Sequence, residues 1–366
     1  MKEYDAVRLR IENNEYPFLR RNELEKKHNE AKELFNEDFE HYIVIGVGGS
    51  SQGSKAINAF FNDQRITYFD HLNLNKINQT LDSVNLNKTC FLFISKSGST
   101  SEVLTIYDYL IERLNDLIEV NKNFITITEI QESPLHNLSS HNGIRVIEHD
   151  KRIGGRFSIF THTGMIPISF FENTASDVLD GLEESVTNFM NNSYDNDSSP
   201  IIKAETKFKL FNTGLKTDVI LIYGDELIEI GNWMKQLYGE SLGKDSFGYM
   251  PIISTMTQDQ HSLLQLYFDG PKDKYFEMLS IQNSKTDFIN ITLNNHRDAM
   301  FKALKSKNLD VVNAKEFKIS SHQTSLKELG IFFSDCMLET LLLAEIAKIN
   351  PFVQGAVDIH KQFLQS

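Results

Sequence analysis

Residues 41–61 read "HYIVIGVGGSSQGSKAINAFF". Ile43, Val44 and Ile45 form an apolar run with no polar alternation, so both faces need cover. Glycines end the run and a helix-like segment follows. That order is a buried parallel strand, a turn and a helix. Similar runs recur at 66–70 (ITYFD), 89–114 (TCFLFISKSGSTSEVLTIYDYLIERL), 123–129 (NFITITE) and, more weakly, 144–150 (IRVIEHD). Strands that alternate with helices require crossovers, which place helices on both faces of a parallel sheet.

The pattern then breaks and restarts. Residues 186–200, "VTNFMNNSYDNDSSP", are rich in Asn, Asp and Ser and end in proline, as a boundary does. An apolar strand at 218–223, a glycine and a helix follow, with a further strand at 275–281, a long buried helix at 325–349 and a C-terminal helix at 353–365. The fold class predicted is α/β: two domains, each a mainly parallel sheet flanked by helices, plus a C-terminal helix. The divisions are a helical lead at 1–40, a first domain at 41–186, a linker at 187–200, a second domain at 201–350 and the last helix at 351–366.

Bulk properties narrow the function. A chain of 366 residues suits two domains of roughly 150 residues each. The opening residues carry no apolar leader, and no stretch approaches the roughly 18 to 20 apolar residues of a membrane span, so a cytoplasmic protein with no membrane association is expected. The net charge of −13 disfavours general nucleic-acid binding, though a local cationic pocket could still hold a small anion. Cys90 and Cys336 are far apart with no metal-ligand spacing around them, so neither a disulfide framework nor a cysteine-based metal site is expected.

Three loops carry candidate chemistry. In GVGGSS (46–51), Gly46, Gly48 and Gly49 permit close backbone approach to an anion at a helix start. A dinucleotide fingerprint is the rival, with Asp70 ending the next strand, but Ser51 stands at the third glycine. In SKSGSTS (95–101), Ser95, Ser97, Ser99, Thr100 and Ser101 surround Gly98 beside Lys96, and such hydroxyls at a helix start can enclose a phosphate. Ser99 and Glu102 also have capping-box spacing, yet one cap accounts for one hydroxyl. In GGRFS (154–158), Arg156 offers a planar charged fork to an oxyanion; in isolation it reads as a solvated charge.

The second half offers Gln236, Glu240 and Lys244 at helical spacing, where Glu240 and Lys244 could form an ordinary ion pair. Gly239 and Gly243 beside the carboxylate suit close approach to a ligand. His261 borders an apolar run, where a lone histidine is ordinarily structural. No HExxH or other metal spacing occurs, so no metal site is predicted.

Taken in order, GVGGSS, SKSGST, GGRFS, Gln236 to Lys244, His261 and the Gln354–Lys361 segment resemble the glucose-6-phosphate isomerase family, built from two sugar-isomerase (SIS) domains. The resemblance implies substrate-binding roles for Gly49, Ser50, Ser95, Lys96, Ser97, Thr100, Gly155, Gln236 and Gln354. Ser50, Ser95, Ser97 and Thr100 would hold the substrate phosphate. Glu240 would move a proton between C1 and C2, Arg156 would face the sugar, and His261 with Lys361 would open the ring. It further implies a homodimer with His261 supplied across the interface, a sugar-phosphate substrate and no cofactor or metal. Departures are Gly98 where relatives often have an aromatic residue, Val103 for threonine, Leu242 for asparagine, and Gly355, Ala356 and His360 for Trp, Gly and Gly.

The residue types suit an aldose–ketose interconversion, where a carboxylate base needs a cation to stabilise the developing enediolate. Three other readings stay open. One is a relaxed isomerase that also accepts mannose 6-phosphate. Another is a non-catalytic sugar-phosphate sensor, which would not need Glu240, Arg156 and His261 together. The third is a nucleotide-dependent dehydrogenase.

Overall fold

The computed structural model describes residues 2–33, 39–61, 63–168, 174–194, 199–282, 288–318 and 322–364, without the side chains of 318, 322–324, 358, 360–362 and 364. These residues cluster in two compact units. One is Arg20–Leu179; the other is Met1–Leu19 together with Asp180–Ser366. The helical lead is therefore shared: Lys2–Glu12 falls in the second unit and Arg21–Lys32 in the first. The Asn-rich stretch holds the end of the helix Thr174–Asn191, with 195–198 outside the described residues and Pro200 opening the helix Pro200–Asn212.

The first unit contains a five-stranded sheet: β1 (His41–Ile45), β2 (Ile66–Phe69), β3 (Thr89–Ile94), β4 (Phe124–Thr128) and β5 (Arg145–Glu148), in the order β2-β1-β3-β4-β5. Every pair is parallel. All six residues of the inner strand β3 are buried, which is why its sequence runs apolar without alternation. The helix Ser101–Leu114 covers this region with Val103, Ile106, Tyr107, Leu110 and Leu114, spaced along one face. Each large apolar side chain so buried contributes about 1.5–3 kcal/mol.

The second unit repeats the plan. β6 (Thr217–Tyr223), β7 (Met250–Met256), β8 (Lys274–Gln282) and β9 (Val311–Lys318) lie parallel in the order β7-β6-β8-β9. The relation of β7, β6, β8 and β9 matches that of β2, β1, β3 and β4. The expected long helix spans His322–Ala347.

Beneath this second sheet lies a cluster of charge. Lys207, from the helix Pro200–Asn212, contacts Glu277 on β8, reaches Glu339 of His322–Ala347 at 2.7 Å and lies 3.3 Å from Asp218 on β6. All four residues are at most 1% exposed. Burial opposes the lysine charge, but the surrounding carboxylates outweigh it and hold Lys207 protonated well above the ordinary lysine value. Among the described residues, no helix is long and apolar enough to cross a membrane.

Candidate active site

In a sheet of order β2-β1-β3, the chain leaves β1 and β3 in opposite directions, opening a crevice at their carboxyl ends. The first two candidate loops sit there. Gly46–Ser51 follows β1 and Ser95–Thr100 follows β3, and a Cβ on Gly46 would stand 3.2 Å from the Ile94 carbonyl oxygen.

Ser95 is buried and pairs with Thr100, Oγ to Oγ1 at 2.8 Å; Ser97 and Ser99 are exposed and pair Oγ to Oγ at 2.9 Å. The turn between them needs Gly98, whose φ is +66°. Thr100 occupies the N-cap position of Ser101–Leu114 without a side-chain cap bond, so the expected capping box does not form; Glu102 instead accepts from Ser101 Oγ at 2.9 Å. The hydroxyls are thus grouped at a helix N-terminus without serving as its cap. The aligned dipole and amide N–H groups there favour an anion. Lys96 is half-buried: its Nζ donates to the Lys151 carbonyl at 2.8 Å and lies 3.7 Å from Glu129.

The third loop meets the first backbone to backbone. A Cβ on Gly49 would fall 2.2 Å from the carbonyl carbon of Gly155, so no larger residue fits at Gly49 without parting the two loops. Arg156 is 3% exposed, and its guanidinium lies 5.3 Å from the centre of the Phe157 ring. The solvated reading of this arginine is overturned, because a buried guanidinium is costly without a specific reason to be there. Asp70, which the dinucleotide reading needs for a ribose, is engaged by Lys55 at 2.6 Å and His71 at 2.8 Å.

In the second unit, Gln236 and Glu240 share one face of the helix Ile228–Leu242, where Gln236 Nε2 donates to Glu240 Oε1 at 3.1 Å. Gln236 Oε1 is buried with no hydrogen-bond partner among the described residues, an acceptor suited to a ligand hydroxyl. Open space surrounds Gly239, whose missing side chain leaves room beside the carboxylate. Lys244 lies beyond the helix and folds back, its Nζ donating to the carbonyls of Glu240 and Ser241. It thereby satisfies carbonyls at the helix end.

His261 is exposed at the end of the short turn Gln258–His261, after β7. Asp259 fixes that turn, accepting from Ser254 Oγ at 3.0 Å and from the Thr255 amide at 2.8 Å. Gln354 is exposed just before the helix Gly355–Leu364, and the side chain of Lys361 in that helix lies outside the described residues. Among the described residues, no three His, Cys, Asp or Glu side chains converge on a point where a metal ion could bind. Sequence reasoning alone does not single out Ser158. It stands between Phe157 and Ile159, all three nearly inaccessible, and a lone hydroxyl inside an apolar run is the available signal.

Similarity to known proteins extends along most of the chain. The family model described as phosphoglucose isomerase matches residues 27–304. A glucose-6-phosphate isomerase of Campylobacter jejuni is 32% identical over 66% of this chain and 61% of its own length. A probable glucose-6-phosphate isomerase of Methanococcus maripaludis is 30% identical over 90% of this chain and 78% of its own. The match thus spans less than two thirds of the first relative. Among solved structures, a glucose-6-phosphate isomerase from Chlamydia trachomatis superposes with a TM-score of 0.77 at 20% identity, covering 93% of this chain and 72% of that one. A hypothetical protein from Thermus thermophilus superposes with a TM-score of 0.82 at 23% identity over 99% and 94% of the two chains. With the family model matched over residues 27–304 and a relative 30% identical over 90% of this chain, the chain belongs to the phosphoglucose isomerase family.

Proposed function

We propose that this protein interconverts glucose 6-phosphate and fructose 6-phosphate through an enediolate. The observation that carries this reading is the grouping of Ser95, Ser97, Ser99 and Thr100 at the end of β3, unused as a cap and facing the crevice beside β1. Ser50, Ser95, Ser97 and Thr100 bind the phosphate with Lys96 nearby, so that binding energy far from the reacting carbons positions the sugar. Glu240 takes the proton from one of C1 and C2 and returns it to the other, with Gln236 holding its carboxylate. Arg156 stabilises the enediolate oxygen charge.

Ring opening falls to His261 and Lys361, with His261 supplied by the other subunit of a homodimer. Gly49, Gly155 and Gln354 shape the pocket. In domain terms, residues 41–186 hold phosphate, 201–350 supply the base, 187–200 link them and 351–366 return Lys361 to the substrate. The reaction requires no metal or redox cofactor, and its place is the cytoplasm, in glycolysis and gluconeogenesis.

The test is conversion of fructose 6-phosphate by the purified chain in the presence of a chelator. Turnover at enzymatic rates is expected. Tight binding of the sugar phosphate without turnover would overturn the proposal in favour of a sensor.

A further inference from the structure

We infer that Ser158 is a positioning residue for the proposed reaction, its hydroxyl strapping the loop that carries Arg156 to the loop that carries Ser50. This inference rests on the isomerase reading for its catalytic consequence, but not for the strap itself. Ser158 is 0% exposed and sits between Phe157 and Ile159, so its hydroxyl must find its partners within the protein. Its Oγ donates to the Gly155 carbonyl at 2.7 Å and lies 3.1 Å from the Gly49 carbonyl, sharing one proton between the two loops. The loops touch where Gly49 and Gly155 meet, and two carbonyl dipoles brought together there need a donor between them.

The serine is itself anchored. Thr161 Oγ1 donates to the Ser158 carbonyl at 2.7 Å and accepts from the Thr163 amide at 3.2 Å, tying the strap to the helix His162–Met165. On the other side, the Ser158 amide donates to Gly155 at 3.0 Å and the Phe157 amide to Gly154 at 2.9 Å, closing the short turn that contains Arg156. Removing the hydroxyl leaves the Gly155 carbonyl without this donor and frees the turn to part from Gly49. Arg156 then moves relative to the enediolate, and a displacement on the order of 1 Å near reacting atoms can reduce rate about 100-fold. Of the four phosphate-binding residues, Ser95, Ser97 and Thr100 lie on a different loop and Ser50 alone lies on the strapped one, so phosphate binding weakens less than turnover.

The experiment compares the full chain with Ser158→Ala, and with Gly49→Ala, which forces the same two loops apart by adding a methyl group. Three readouts are used: kcat and KM on fructose 6-phosphate, affinity for inorganic phosphate, and amide hydrogen exchange. We expect kcat to fall about 10- to 100-fold in both variants, while phosphate affinity, which loses only the Ser50 contact, falls by a smaller factor of about threefold to fivefold and KM follows it. Amides of 46–51 and 154–158 should exchange faster, with those of 95–100 unchanged. A Ser158→Ala enzyme with kcat within about twofold of the parent overturns the positioning role, as does an equal loss of kcat and phosphate affinity, which marks general loosening. Unchanged exchange in both loops overturns the strap. A parent chain that turns over no sugar phosphate would sink the isomerase reading instead, and the exchange readout would still decide the strap.

Discussion

Gly98 is the residue on which the Ser95–Thr100 loop turns, the loop proposed to bind phosphate. Its φ of +66° lies where side chains are strained, and a Cβ there would stand 2.2 Å from Ser133 Oγ, which caps the helix Pro134–His141. Gly98→Ala should weaken inorganic phosphate binding about 10-fold and destabilise the first unit by about 1–2 kcal/mol or more. Calorimetry and urea unfolding check both, and an alanine variant with the parent's affinity would show that the turn tolerates a side chain. The cluster of hydroxyls around this glycine was legible in the sequence because no single cap accounts for so many oxygens. Arg156 was legible as a residue type but not as a buried one, since its burial comes from Gly49 and Gly155 meeting, two positions that lie far apart along the chain.

At the scale of elements, apolar runs announced all five strands of the first sheet and the inner strands of the second, while the edge strands of the second sheet hid. β7 contains Pro251 and an exposed Met250, and β9 mixes Asn313, Lys315 and Glu316 among its apolar residues. Both lie at the edges of their sheet, where proline and polar residues are tolerated and the pattern loses its continuous character. The tie through Lys207 was also invisible in sequence, because its partners come from two strands and a distant helix. Lys207→Met should destabilise the second unit by about 3–5 kcal/mol, since it leaves Glu277 and Glu339 buried without their cation. Urea unfolding followed through Trp233, the single tryptophan and part of that unit, measures it; an unchanged midpoint would mean the carboxylates shed their charge at no cost.

For the molecule as a whole, three buried histidines make stability depend on pH. His28, His149 and His162 are all buried in the first unit, and burial pushes their pKa values down from 6.5 to about 4, about 4 and about 3. The unfolded chain takes up protons near pH 6.5 while these folded imidazoles stay neutral. Their contribution to stability is therefore complete above about pH 6.5 and declines as pH falls toward 4 and then 3. Each histidine contributes a slope of up to about 1.4 kcal/mol per pH unit in that window. Acidification from about pH 7 to about pH 4.5 should lower the circular-dichroism unfolding midpoint before it alters the Trp233 signal. Stability that stays flat across this range would show the three imidazoles to be solvated.

The two similar modules were legible in the sequence, though not the strand order their sheets share, and the proposed reaction draws on both: the hydroxyl loops lie in the first unit and Gln236 and Glu240 in the second. The most direct test of the proposed chemistry is therefore Glu240→Gln, with kcat measured in chelator and affinity for fructose 6-phosphate measured by calorimetry. Loss of a general base predicts a fall in kcat of about 100- to 10,000-fold, with affinity within about threefold of the parent. A glutamine variant that turns over at the parent's rate would contradict Glu240 as the proton carrier.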